Sequence, residues 1–178
     1  MKKIISLVIA CILLLSLSAC SSEPALVGTV PVGNSSATEP PATEGEKLFK
    51  LGDSVELDGI VVNFIDVVTS TGSQFNKPTE GNVFVLCEFE IANNSQEELS
   101  VSSMLSFEAY CDEYACDTSF GALLEKGNKD QLDGSVAPGK KMKGVVGYEV
   151  PTDWKELEVH YTLDILDDSK IVFVAENS

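Results

Sequence analysis

Cysteine is the residue type in this chain with the most varied chemistry, and it occurs five times. Cys20 follows the small residues Ser18 and Ala19 at the end of an apolar run that begins at Ile4, and two lysines precede that run. This is the order of a secretory signal: a positive start, an apolar stretch and small residues before a cleavage point. The run is shorter than the roughly 20 apolar residues that cross a bilayer. We therefore expect residues 1–19 to be a signal peptide that directs export.

The four residues Leu17-Ser18-Ala19-Cys20 resemble the lipobox of bacterial lipoproteins. The resemblance implies that the Cys20 thiol receives a diacylglycerol thioether and that Cys20 becomes the mature N-terminus. The alternative is an ordinary secretory signal that happens to end near a cysteine. Two acyl chains anchor a protein stably, because each buried CH2 contributes about 0.8 kcal/mol. The expected location is therefore the extracytoplasmic face of the cell membrane, which the protein contacts through its N-terminal lipid anchor.

Cys111 and Cys116 flank a predicted turn, and an exported protein meets oxidising conditions that favour disulfides. If Asp112 to Ala115 form a four-residue loop, the two cysteines face each other at a distance that a disulfide can span. If Asp112 and Glu113 form a two-residue turn, the cysteines lie on a diagonal and are too far apart without movement. A two-residue turn of type I′ needs positive φ at both positions, which Glu adopts poorly. We therefore expect the longer loop and a Cys111–Cys116 disulfide.

The other reactive side chains form no recognisable catalytic or metal-binding set. Cys87 lies on the apolar face of a predicted strand, so we expect a buried free thiol. His160 lies on the polar face of another strand, where we expect it to be solvated; a general base would need an orienting acid and a nucleophile nearby. Acidic groups at 112–113, 130–133 and 164–168 could supply oxygens to calcium, but none has the spacing of a known calcium loop. We expect no catalytic residue, no metal and no cofactor.

The chain beyond the signal is strongly acidic and begins with a stretch that cannot form a core. Without the two N-terminal lysines it has ten lysines, no arginine and 28 Asp and Glu, a net charge of −18. Such a chain repels phosphate backbones, so we expect no nucleic-acid partner. Residues 20–47 are rich in Ser, Thr, Pro, Gly and Glu and have no aromatic residue. We expect them to be a disordered linker that lifts the domain off the membrane.

Residues 48–178 have the pattern of one β-rich domain, because short alternating runs are separated by turn residues. The clearest run extends from Val83 to Ile91, where every second residue is apolar. Gly144 and Gly147 interrupt a later run and permit a bulge. Residues 122–126 could be a helical turn or the end of a strand. Eight or nine such strands, without a long amphipathic helix, predict an all-β, two-sheet sandwich.

Three stretches of this domain resemble a known family in their order and spacing. They are Leu51-Gly52-Asp53, the run from Gly81 to Ser95, and the run from Ala137 to Pro151. Over residues 48–176 the chain is similar to an uncharacterised domain of Gram-positive lipoproteins, catalogued as a domain of unknown function of the 4352/5067 type. The resemblance implies an immunoglobulin-like β-sandwich, similar to that of a secreted mycobacterial immunoprotective antigen. The family brings no established catalytic residues, and Glu113 stands where its pattern has a turn glycine.

These features favour a binding module over an enzyme. In that interpretation a rigid sandwich on a linker binds a protein, peptide or cell-wall ligand outside the membrane. An extracytoplasmic hydrolase is one alternative, although the usual triads and metal-ligand sets are not recognisable in the sequence. A structural accessory subunit of a cell-envelope complex is another. Because a sandwich fold hosts many functions, the ligand itself is not predicted.

Overall fold

The structure, a computed structural model, describes residues 23–29, 47–163 and 169–177. The predicted signal peptide 1–19, Cys20, most of the predicted linker and the acidic group at 164–168 lie outside the described residues. Within the described ranges the chain forms the following strands and one helix: β1 (Ala25–Thr29), β2 (Leu48–Lys50), β3 (Asp53–Leu57), β4 (Ile60–Ser70), β5 (Asn82–Asn93), β6 (Leu99–Ser102), β7 (Phe107–Cys111), β8 (Tyr114–Cys116), α1 (Phe120–Leu124), β9 (Asp133–Val136), β10 (Lys141–Pro151), β11 (Glu156–Thr162) and β12 (Lys170–Glu176).

Two five-stranded sheets make up the body of the domain. The first has the order β1-β3-β4-β5-β10 and is antiparallel throughout. The second has the order β2-β12-β11-β7-β8, in which only the β2–β12 pair is parallel. Strands β6 and β9 form a separate two-stranded ribbon. The predicted all-β sandwich is confirmed, and the strands outnumber the eight or nine expected because several are only three to five residues long.

The core lies between the inner faces of the two sheets. Alternation along β5 points Val85, Cys87 and Phe89 inward, where they are fully buried. Phe89 stacks on Phe64 of β4, with ring centroids 4.7 Å apart, and reaches Phe173 of β12 in the other sheet at 5.4 Å. Cys87 is a buried free thiol, as predicted, and burial raises its pKa to about 12. Aromatic contacts of this kind contribute about 0.5–1.5 kcal/mol beyond the area they bury.

A second, smaller core lies on the outer face of the first sheet. There α1 packs Ala122 and Leu123 against outward side chains of β5 and β10. The Ser119 hydroxyl caps the helix by accepting the N–H of Ala122 at 3.1 Å. The ambiguous segment 122–126 therefore begins as a helical turn. Across the described ranges, no helix is long and apolar enough to cross a membrane.

Gly144 and Gly147 permit close approach of other segments to β10. The β10–β5 ladder runs from Lys141 to Pro151 without a register shift, so the bulge that these glycines would permit does not form. A Cβ at Gly144 would lie 2.8 Å from the carbonyl oxygen of Asp130, and one at Gly147 would lie 2.9 Å from the Cβ of Ala122. The glycines thus leave room for a loop and for α1 to cross β10.

Part of the predicted linker is a strand. β1 pairs antiparallel with β3, with Ala25 opposite Glu56 and Thr29 opposite Asp53. All five of its residues are exposed, so the pairing depends on the backbone and on a 3.4 Å hydrogen bond from the Thr29 hydroxyl to Asp53. The disorder predicted for the linker is therefore wrong for residues 25–29. A strand held through its backbone leaves no hydrophobic pattern in the sequence.

Candidate binding groove

The sandwich has two ends that differ in their loops. At the first, which we call the groove end, β5 begins and β10 finishes, so that Asn82 lies opposite Pro151. At the second, the tether end, β5 finishes beside the start of β10 and Ile60 lies opposite Asn93. Eleven steps of about 3.4 Å along β5 separate the two ends by about 37 Å.

An open groove of about 680 Å³ lies at the groove end, between the β7–β8 hairpin and the last residues of β10. Cys111 and Cys116 line one wall and Pro151 lines the other. The charged side chains that line it are Asp112, Asp117, Glu149, Asp153 and Lys155. Four carboxylates against one ammonium group give the groove a local charge of −3, so it attracts cationic groups.

A two-residue turn shapes the hairpin wall. Tyr114 lies opposite Cys111, and Cys116 lies opposite Ala109. Asp112 and Glu113 between them have φ values of 47° and 72°. These are the positive values of a type I′ turn, whose twist matches that of the flanking strands. The predicted four-residue loop is therefore wrong.

Contacts of Asp112 explain why the tight turn forms despite Glu113. The Asp112 carboxylate accepts the backbone N–H of Lys155 at 3.1 Å and that of Glu156 at 3.0 Å. Its own N–H donates to the Glu156 carbonyl oxygen at 3.0 Å. These bonds join the hairpin to the start of β11 and offset the conformational cost of positive φ at Glu113, which is about 1–2 kcal/mol.

The two groove cysteines are thiols on the same face of the hairpin. Burial, followed by the neighbouring Cys116 and Asp112, raises the pKa of Cys111 to about 12. Burial also raises the pKa of Cys116. The thiols are therefore protonated at neutral pH, which makes them poor nucleophiles and poor metal ligands. The disulfide between Cys111 and Cys116 stays a prediction. Each of the two thiols affects the pKa of the other.

Glu149 provides the fixed charge of the opposite wall. Its carboxylate accepts the backbone N–H of Thr79 at 2.7 Å and the side-chain amide of Asn82 at 3.1 Å. The bond from Thr79, supported by that from Asn82, lowers the pKa of Glu149. Glu149 is therefore ionised at neutral pH and is held in position before any ligand arrives.

The short strand β8 borders the groove and forms an edge of the second sheet. Tyr114 at its start is 79% exposed, and Ala115 is also exposed. Tyrosine is enriched at protein interfaces because its ring is apolar and its tip polar. The unpaired side of an edge strand can in addition accept an extended peptide. The groove thus combines fixed negative charge with a backbone edge.

His160 lies away from the groove, on the outer face of the second sheet. It is 6% exposed, so the predicted solvated histidine is wrong. Its Nε2 lies 3.0 Å from Glu158, its Nδ1 lies 3.3 Å from the Lys170 ammonium, and its ring centroid is 5.0 Å from that of Tyr110. The reason is position: β11 is the middle strand, and side chains of β7 and β12 enclose the ring from both sides.

In two of the acidic groups considered for calcium, a carboxylate accepts hydrogen bonds from the protein itself. Asp133 accepts the backbone N–H and the hydroxyl of Ser103, both at 3.0 Å, and Asp112 accepts the two N–H groups already described. Over the described residues, no three His, Cys, Asp or Glu side chains are grouped so that they could hold a metal ion.

Comparisons with known proteins agree with this fold. A family model described as "Domain of unknown function (DUF4352)" matches residues 49–171. The fold is similar to that of the yjhA protein from Bacillus subtilis, with a TM-score of 0.57 and 16% identity over 70% of this chain and 97% of that one. It is also similar to a candidate lipoprotein (ycdA) from Bacillus subtilis subsp. subtilis str. 168, with a TM-score of 0.56 and 17% identity.

That second similarity covers 67% of this chain and 37% of the ycdA chain, so this chain spans well under half of that protein. Among curated proteins, none matches. At these identities the similarity shows a fold, and neither the family description nor the two names assigns a catalytic activity.

Proposed function

The chain belongs to the DUF4352 family of domains of unknown function, and from that premise we propose that it is a lipid-anchored, extracytoplasmic binding protein whose groove takes a basic peptide segment of a partner protein. The proposal has two parts, an anchor at Cys20 and a binding site at the groove end. Each part has its own support and its own test.

The anchor rests on the order of residues before Cys20. A positive start, an apolar run and Leu17-Ser18-Ala19 place the Cys20 thiol where a diacylglycerol group is added in lipoproteins. The ycdA protein, which has a similar fold, is itself named as a candidate lipoprotein. Diacylglycerol supplies two chains, which is enough for stable anchoring.

The observation that supports binding is that two carboxylates of the groove are held by the protein itself. Asp112 and Glu149 each accept hydrogen bonds from backbone N–H groups, so a ligand need not order them. A lysine or arginine of a partner would gain charge-assisted hydrogen bonds from them. The edge of β8 would pair with the backbone of the same segment. Phosphate-rich partners would be repelled.

Site-specific photo-crosslinking in intact cells tests the groove. A photoreactive residue is placed at Ala115 on the β8 edge or at Asn94 at the tether end, both of which are exposed. We expect a defined protein adduct from position 115 and none from position 94. Asp153→Lys reverses a groove charge on an exposed side chain and should weaken the adduct, whereas Glu97→Lys at the tether end should leave it unchanged. The same adducts from both positions, or none from position 115, would reject the groove as the binding site.

Membrane fractionation tests the anchor separately. We expect Cys20→Ala to release the protein from the membrane fraction or to leave it unprocessed. Cys87→Ala, which removes a buried thiol elsewhere, should remain bound. A Cys20→Ala protein that is processed to the mature size and still stays as firmly membrane-bound as the unaltered one would show that anchoring does not use Cys20.

A further inference from the structure

We propose that β1 holds the sandwich close to its lipid anchor, so that the tether end faces the membrane and the groove end points away from it. This inference rests on the proposed anchor at Cys20. The domain would then have a short attachment that sets its orientation, in place of a long flexible linker.

The direction of β1 on the sheet determines where the chain from the anchor arrives. Ala25, its first residue, lies opposite Glu56, one residue before the end of β3. The next turn, Asp58-Gly59, leads into Ile60 at the tether end. The chain that enters β1 therefore comes from the tether end, and the groove lies at the other end of the sheet.

The chain between the proposed anchor and the sheet is short. Cys20 and Ala25 are five residues apart, and five residues span at most about 17 Å in any conformation. If β1 were not paired, the sandwich would begin at Leu48, 28 residues after Cys20, and that length of chain could reach about 95 Å. The pairing of β1 with β3 thus reduces the maximum reach of the domain about fivefold.

The two ends of the sandwich also differ in charge. A bacterial membrane surface rich in anionic lipids repels acidic groups within about one Debye length, which is about 8–10 Å. The groove carries a charge of −3 and lies about 37 Å from the tether end. The tether end carries both signs, with Asp58, Glu97 and Glu98 against Lys140 and Lys141 at the start of β10, so it is less acidic than the groove. Electrostatics therefore favours the orientation that the short attachment imposes.

Energy transfer between the protein and labelled lipid tests the orientation. The lipidated protein carries one donor dye at Asn94 on the tether end or at Asp153 on the groove end, and it is reconstituted into vesicles that contain an acceptor-labelled phospholipid. We expect several-fold more transfer from position 94 than from position 153. The double variant Leu26→Pro/Val27→Pro should abolish that difference. Of two consecutive backbone N–H groups in β1, one points toward β3, and proline has no N–H to donate, so the β1–β3 pairing is lost.

Two further variants separate β1 from the length of the attachment. Leu26→Ser/Val27→Ser changes the same exposed side chains but keeps the N–H groups, so it should leave the transfer unchanged. An insertion of about ten Gly and Ser residues between Ser22 and Glu23 leaves β1 intact but lengthens the attachment, so transfer from position 94 should fall.

Equal transfer from both positions in the unaltered protein would overturn the inference while the anchor stands. So would transfer from position 94 that neither the proline pair nor the insertion reduces. A protein that does not bind the vesicles at all would overturn the anchor together with the inference.

Discussion

Cys111 and Cys116 lie on one face of the β7–β8 hairpin, on a diagonal of its ladder. Diagonal neighbours in a ladder have backbones about 7–8 Å apart, slightly more than a disulfide spans. Because both side chains project from the same face, only a small backbone movement separates the pair from disulfide geometry. A small closure of the hairpin would therefore permit a bond.

We predict that this pair is oxidised in the exported protein. Thiol titration of unfolded, unreduced protein should then find one reactive group, Cys87, provided that Cys20 is acylated. Prior reduction should give three, and Cys116→Ser should give two without reduction. So short a loop removes little entropy from the unfolded chain, so stabilisation should lie near the low end of the ~0–5 kcal/mol range. Three reactive thiols in the unreduced protein would contradict the bridge.

The carboxylate of Asp112 should contribute to stability. We predict that Asp112→Ala lowers the free energy of unfolding by about 1–2 kcal/mol, because the N–H groups of Lys155 and Glu156 lose their acceptor. Asp153→Ala removes a neighbouring exposed carboxylate and should change it by less than about 0.5 kcal/mol. Urea denaturation of both variants measures the difference, and equal losses would show that Asp112 acts only through its charge.

Replacing Glu113 by a residue that adopts positive φ more readily should make the domain more stable. Its φ of 72° favours glycine, so we predict that Glu113→Gly raises the free energy of unfolding by about 0.5–1 kcal/mol. Glu113→Ala keeps the Cβ and should give no gain, which makes it the matched control. A gain from alanine as large as that from glycine would attribute the effect to charge rather than to backbone conformation.

Tyr148 has a hydroxyl group in the core of the domain. Its ring is fully buried, its hydroxyl has no hydrogen-bond partner in the described part of the chain, and burial raises its pKa well above the ordinary value. We predict that Tyr148→Phe stabilises the domain by about 1 kcal/mol, because it removes an unsatisfied buried group. Tyr110→Phe, on the outer face, should be neutral. A loss of stability in Tyr148→Phe would reveal a partner for the hydroxyl, such as an ordered water molecule.

The inner faces of the strands could be predicted from the sequence because burial there follows a period of two. Val85, Cys87 and Phe89 are buried as their alternation predicts. The sandwich follows from the same signal, since each predicted strand needs a second sheet to cover its apolar face.

The outer faces could not be predicted in the same way. Glu88 points away from the core, as the alternation from Val83 to Ile91 implies, yet its side chain is only 8% exposed. His160 is likewise outward and buried. Coverage of an outer face depends on which loops and neighbouring strands lie over it, which no local pattern records. β1 and the turn at Glu113 escaped prediction for a related reason: backbone pairing and tertiary hydrogen bonds, rather than residue preference, decide them.

Glu88 belongs to a group of charges on the outer face of the first sheet. A register shift in β4 places Asp66 directly opposite Glu88, and two like charges in that position repel. Lys129 contacts both carboxylates, at 3.0 Å from Asp66, and Lys143 contacts Glu88 at 3.0 Å. Lys129 thereby fixes the loop before β9 to the sheet.

Burial and the two lysines have opposite effects on the pKa of Glu88. Burial alone would raise it, but hydrogen bonds and charges from Lys129 and Lys143 outweigh burial and lower it. A carboxyl group with a lowered pKa in the folded state stabilises that state above its unfolded pKa, about 4.3. The stabilisation is lost as the pH falls through the folded pKa.

We therefore predict that Glu88→Gln lowers the free energy of unfolding by about 2 kcal/mol at pH 7, since two lysines lose a charged partner in a buried setting. The difference from the unaltered protein should start to shrink as the pH falls below about 4.3 and should vanish as the pH falls through the lower folded pKa of Glu88, where Glu88 itself becomes neutral. Glu176→Gln breaks the exposed pair with Lys50 and should cost less than about 1 kcal/mol. Urea denaturation at neutral and acid pH measures both. A Glu88→Gln deficit that stays constant down to pH values where carboxyl groups are protonated would mean that side-chain shape, and not charge, accounts for the loss.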